Sequence, residues 1–162
     1  MSLRIAPLQP HQHEAARAVI FAVAYESFGR GRPYDVWYER VRSTWLTTDV
    51  DDLDAHYTHN GGAFWVLLDG DEVVGTGAVR RFNETTCELK RMYILVRARG
   101  LGWGRRMAGV AIEWSRRAGY QQMRLDTDSE MVAAVTLYRS LGFAPIEKYK
   151  EVGSDVYLEL PL

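Results

Sequence analysis

Glycines at 100, 102 and 104 alternate through the stretch "RARGLGWGRRM" of residues 97–107, after the apolar run "MYILV" and before a segment of helical periodicity. Glycine is the costliest ordinary residue to order and a poor helix starter, so three of them here need a chemical reason. A glycine loop between strand and helix lets backbone N–H groups approach an anion, and the helix N-terminus adds unpaired donors and a positive dipole end. Arg99, Arg105 and Arg106 add positive charge at the same point. The pattern reads as a phosphate cradle.

Other chemistries fit less well. "GWGRRM" lacks the Gly-Lys-Ser/Thr ending of a P-loop. A dinucleotide fingerprint would place its third glycine at Arg105, and its first strand would be apolar on both faces. Here that strand interleaves Glu88, Lys90 and Arg91. The pairs His11 with His13 and His56 with His59 find no third ligand in the sequence, and no metal site is expected. Cys87 is the only cysteine; it reads as a core residue of an apolar strand rather than a nucleophile.

These residues require a frame. With 47% hydrophobic and 25% charged residues among 162, the chain reads as globular, and residues 1–162 as one domain. A formal net charge of −1 offers no general attraction to nucleic acid or an anionic membrane. No apolar run approaches a membrane span, "MSLRIAPLQP" lacks a signal-peptide core, and one cysteine fits a reducing compartment, so a cytoplasmic protein is expected.

Along the chain, "LRIAPL" predicts a first strand and residues 12–26 a helix with Ala15, Ala16, Val19, Ile20 and Val23 as its apolar stripe. A second helix follows Pro33, with Trp37, Val41 and Trp45 on one face. Residues 62–82 predict two strands joined at Asp69-Gly70, and "CELKRMYILV" a third. Met107, Val110, Ala111, Trp114 and Ala118 recur at helical spacing up to Gly119. "QMRLDTD" is a strand, residues 130–141 a helix capped by Gly142, and "PIEKYK" with "DVYLEL" a closing antiparallel pair. Asp126 reads as structural, capping or positioning the helix after it. The order β-α-α-β-β-β-α-β-α-β-β predicts an α/β fold of the α+β type: a mixed, mostly antiparallel sheet covered by helices on both faces.

At this level of detail the chain resembles the GNAT superfamily of acyl-CoA-dependent N-acyltransferases. Its signature Gln/Arg-x-x-Gly-x-Gly/Ala is matched by Arg99, Gly102 and Gly104, "ELKRMYI" is similar to its fourth strand, and "AAVTLYRSLGF" to its Ala-x-x-Leu-Tyr-x-x-x-Gly-Phe helix end. Met131 stands where an asparagine is usual. The resemblance implies acetyl-CoA as cosubstrate and a small-molecule or peptide amine as acceptor, with direct attack in a ternary complex. The pyrophosphate would lie against the amides of Arg99, Gly100, Leu101, Gly102, Trp103, Gly104 and Arg105. The pantetheine arm would pair with backbone of Met92, Tyr93 and Ile94 where the fourth and fifth strands splay at a bulge, and an N–H near Met92 or Tyr93 would face the thioester carbonyl. It implies Glu88 as the base for the ammonium and Tyr138 as proton donor to the leaving thiolate. The first two helices would flank the acceptor side, and a homodimer fits the family. A non-catalytic acyl-CoA-binding module is the alternative; it would need the glycine loop but neither Glu88 nor Tyr138.

Overall fold

The computed structural model describes residues 1–44, 47–151 and 153–162. Strands β1 (Leu3–Pro7), β2 (Ala63–Asp69), β3 (Glu72–Arg81), β4 (Thr86–Ile94), β5 (Gln122–Thr127), β6 (Ala144–Pro145) and β7 (Val156–Pro161) form one sheet in the order β1-β2-β3-β4-β5-β7-β6. Every pairing is antiparallel except that of β4 with β5. Helices α1 (His13–Phe28) and α2 (Tyr34–Arg42) cover one face; α4 (Trp103–Arg117) and α5 (Val132–Ser140) cover the other. The mixed, mostly antiparallel sheet with helices on both faces is the architecture the element order predicted.

Period-2 alternation divides the core. Phe64, Val66 and Leu68 of β2 pack with Ala16, Val19 and Ile20 of α1, while Trp65 and Leu67 pack with Met107 and Ala111 of α4. The helix stripes are rotated from their expected positions. On α1, Ala15 is exposed and Phe21 is buried instead. On α4 the buried row is Met107, Ala108, Ala111, Ile112 and Ser115. Small side chains on that row let the helix approach the sheet closely, and Trp114 moves to the flank against Trp65, ring centroids 5.9 Å apart. Gly77 belongs to the same close contact: a Cβ there would lie 2.5 Å from Met107 Cγ.

Two segments depart from the sequence reading. A four-residue helix α3 (Thr48–Asp51) and a π-helical turn (Asp54–Thr58) fill the connection before β2. The closing pair is shorter than expected, since β6 ends at Pro145 and Lys148 to Lys150 lie outside any strand. Lys150 turns under the sheet instead, toward two carboxylates described below. Trp45, expected on the face of Trp37, lies outside the described residues.

Two irregularities in β4 shape the centre of the molecule. Its parallel pairing with β5 stops at Glu88 opposite Arg124, although β4 runs on to Ile94 and β5 to Thr127. Beyond Glu88 the two strands part. Opposite β3 the register jumps, with Ala78 facing Lys90 and Thr76 facing Tyr93, so Arg91 and Met92 stand against Gly77 alone. This is a β-bulge, and Arg91 carries its strain at φ +53.

Candidate active site

A cavity of about 640 Å³ opens where β4 and β5 part. One arm is apolar, walled by Ile20, Phe21 and Phe28 of α1 and by Trp37 and Val41 of α2. The other is charged, with Arg80, Lys90, Arg91, Asp126, Asp128 and Lys150 on its walls. Met92, Tyr93 and Tyr138 line the same cavity. The structure therefore brings the end of β4 and Tyr138 to one cavity. In a regular strand Lys90 and Arg91 would point to opposite faces; across the bulge both line the cavity.

Tyr138 enters from the last turns of α5. Its ring packs edge-on against Phe143 at 5.8 Å, and burial raises its hydroxyl above the ordinary phenol range. Among the described residues that hydroxyl has no hydrogen-bond partner.

Glu88 is placed differently. It is 2% exposed and lies behind the cavity wall rather than on it. Its carboxylate pairs with Arg80 at 2.9 Å and Lys150 at 2.5 Å, and accepts the Tyr149 hydroxyl at 3.1 Å. Burial would raise its pKa, but the Lys150 and Arg80 contacts hold the carboxyl below its usual range. A covered, three-fold partnered carboxylate is a weak base without access to a substrate ammonium. The direct proton transfer expected of Glu88 does not fit this geometry.

Asp126 shares that network, accepting from Lys150 at 2.7 Å and lying 3.8 Å from Lys90. It lines the cavity and does not cap α5, whose N-cap is Met131. Burial and the charge of Lys150 push the Lys90 ammonium down to about 8. On the far side, Asp49 of α3 accepts Arg91 Nε at 2.9 Å and the Tyr57 hydroxyl. Burial opposes ionisation there, yet Arg91 holds the Asp49 carboxyl at about 2. Asp49, Lys90, Arg91 and Lys150 were given no roles by the sequence reading; the only signal was charge interleaved in an otherwise apolar strand.

The glycine loop forms a second part of the site. Gly100 and Gly102 adopt φ +75 and +79, a region that favours glycine, and a Cβ on either would meet nothing within 4 Å. Gly102 caps α4. From Gly100 through Arg105 the amides donate to no acceptor among the described residues; the next, that of Arg106, bonds Gly102 O. A row of free amides at a helix start has the donor set that an anion site uses. The arginine side chains contribute less than expected. Arg99 donates both terminal nitrogens to Glu26, each at 2.7 Å, and its Nε to Ile94 O. Arg105 bonds Ser140, and Arg106 stacks on Trp103 at 4.6 Å.

Cys87 is fully buried on the α4 side, its thiol against Ser115 Oγ at 3.4 Å and pushed up to about 11 by burial. It faces away from the cavity. His13 lies 3.5 Å from Asp54, and among the described residues no group of three or more His, Cys, Asp or Glu could hold a metal. No described helix is long and apolar enough to cross a membrane.

Comparison with known proteins finds a matching family and the same fold. The model of the acetyltransferase (GNAT) family matches residues 30–143. The uncharacterized N-acetyltransferase YjgM of Escherichia coli (strain K12) is 34% identical over 102 residues, 61% of this chain and 61% of that protein; the chain spans less than two thirds of the length of such curated relatives. In fold, a GNAT-family acetyltransferase from Staphylococcus aureus Mu50 superposes with a TM-score of 0.83 at 17% identity, covering 99% of each chain. The PaiA N-acetyltransferase of Thermoplasma acidophilum, solved in complex with coenzyme A, gives 0.78 at 16% identity over 100% of both.

Proposed function

The chain belongs to the acetyltransferase (GNAT) family, and from that premise we propose that it transfers an acetyl group from acetyl-CoA to a primary amine by direct attack in a ternary complex. The observation that carries this reading is the parting of β4 from β5 after Glu88, with a cavity at the gap and a row of free amides in the loop that follows β4. Similar folds described as bound to coenzyme A or acetyl-CoA support the choice of cosubstrate.

Bound acetyl-CoA supplies an activated acyl thioester. The amides of residues 100–105 hold its pyrophosphate, and the open space above Gly100 and Gly102 permits that approach. The backbone of Met92 to Ile94, without a neighbouring strand on the β5 side, pairs with the pantetheine arm, and an N–H at Met92 or Tyr93 faces the thioester oxygen. The Tyr138 hydroxyl gives its proton to the departing thiolate. Glu88 is a positioning residue that fixes Lys150 and Arg80 at the cavity wall, and the ammonium proton leaves through water in the cavity. One catalytic domain spans residues 1–162.

The test is free-thiol release from acetyl-CoA over a panel of amines, with coenzyme A binding followed separately. CoA at a hundredfold excess over its Kd should stabilise the fold by about 2.7 kcal/mol. Stabilisation by ATP or NAD with no response to CoA would overturn the assignment. CoA binding without thiol release from any amine would leave a binding module.

A further inference from the structure

We propose that the amine acetylated here also carries a carboxylate, as an amino acid does, and that the Lys90 ammonium binds that carboxylate. This rests on the acetyltransferase reading and names its substrate class.

On the β4 side of the cavity, three cations (Arg80, Lys90 and Lys150) meet two anions (Glu88 and Asp126). Arg80 and Lys150 take the close contacts. Lys90 is left 3.8 Å from Asp126 Oδ1, an oxygen already engaged by Lys150 at 2.7 Å. Among the described residues, Lys90 Nζ makes no hydrogen bond, though an ammonium carries three donors. Its side chain is 21% exposed and lines the cavity. The remaining carboxylates on the walls do not reach Lys90 Nζ with a hydrogen bond. Asp49 is engaged by Arg91, and Asp128 turns to Ser154 beside Asp155 and Glu130. A half-buried cation with unmet donors on a cavity wall is a site for an anion.

An ammonium with open donors suits the two oxygens of a carboxylate. A phosphate dianion would bring a second negative charge among Asp126 and Asp128, both on the wall. The apolar arm at Phe21, Phe28 and Trp37 then receives the rest of the acceptor. Proximity to the gap places the acceptor's carboxylate two residues before Met92, beside the strand segment assigned to the thioester.

The experiment compares kcat/KM for matched acceptors by thiol release: phenylalanine, phenylalaninamide and phenethylamine, and the same series built on leucine and alanine. The amino acids should exceed their amides by about 10- to 150-fold, the range of one hydrogen bond to a charged group. In Lys90→Met that ratio should collapse toward one, and Lys90→Arg should restore part of it. Amides or decarboxylated amines used as well as the acids, or a ratio unmoved in Lys90→Met, would overturn the proposal while leaving the acetyltransferase reading intact. Thiol release from none of the compounds would overturn both. A measurement on the free protein guards against misfolding: removing a largely buried cation that makes only a long ion pair should leave the Tm of Lys90→Met unchanged or raise it, and a lowered Tm assigns Lys90 to the fold and refutes the binding role.

Discussion

Glu88→Gln tests the ion network on which the cavity wall depends. The substitution is nearly isosteric, keeps the contact with the Tyr149 hydroxyl, and removes only the charge shared by Arg80 and Lys150. Deleting one partner of a buried ion pair costs about 3–5 kcal/mol, because the other charge stays behind uncompensated. Here the loss falls at or below the lower end. Lys150 retains Asp126 at 2.7 Å, and Arg80, 28% exposed, relaxes toward water. About 2–3 kcal/mol is expected, or roughly 4–12 °C in Tm for a domain of this size. Urea titration at 25 °C measures it directly.

The effect has a signed pH dependence. The folded protein holds the Glu88 carboxyl below its ordinary value of 4.5, so the carboxylate's contribution is complete above that value and is lost as pH falls through the lower folded one. The gap between the parent protein and Glu88→Gln should stay flat across neutral pH and narrow below 4.5. Adding Lys150→Met should recover much of the loss by removing the stranded cation. Kinetically, a positioning role predicts no return of activity at alkaline pH, whereas a base role predicts that a deprotonated amine bypasses the defect. A loss below about 0.5 kcal/mol, the size of an ordinary surface substitution, would refute the network argument, and alkaline rescue would reinstate Glu88 as the base.

Three further outcomes are expected. Tyr138→Phe keeps the ring against Phe143 and should leave CoA-induced stabilisation in place while turnover falls about 10²- to 10⁴-fold; unchanged turnover assigns the hydroxyl to packing. Gly102→Val forces a β-branched residue to φ +79, which should cost about 1–3 kcal/mol and abolish the CoA-dependent Tm shift; normal CoA binding would refute the cradle. Glu26→Gln releases Arg99 from its bidentate partner, and since exposed pairs are worth at most about 1 kcal/mol, CoA affinity by calorimetry should improve no more than about fivefold, chiefly at low salt.

Local signals in the sequence carried the architecture and the loop. Alternating glycines declare positive φ and close approach within six residues, and the Asp69-Gly70 hairpin and the helix periodicities are equally local. The tyrosine at the end of α5 was placed through a motif. What escaped was pairing at a distance. Nothing near Arg99 shows that Glu26, 73 positions earlier, takes its guanidinium. Nothing near Asp49 shows that Arg91, 42 positions later, takes its carboxylate. The expected strand over 145–150 failed for the same reason. Its alternation satisfied strand periodicity, but Lys150 has two buried carboxylates to neutralise, and that demand overrides propensity.

The gap and the charges around it have one origin. Parallel pairing with β5 would have buried β4 on both edges, and ending that pairing at Glu88 leaves backbone available along Lys90 to Ile94. The bulge at Arg91 and Met92 then sets two neighbouring cations on the cavity side, where a regular strand would have hidden one in the core. Cations in that position must be held, and the carboxylates beside them come from elsewhere: Asp49 from α3 for Arg91 and Asp126 from β5 for Lys90. Cys87 and Leu89 pack in the α4 core, Leu89 also reaching the cavity, and keep the strand anchored. The same strand thus secures the fold and carries charge into a cavity. Of those charges, Lys90 alone is left without a hydrogen bond among the described residues, and an acceptor's carboxylate would complete the set.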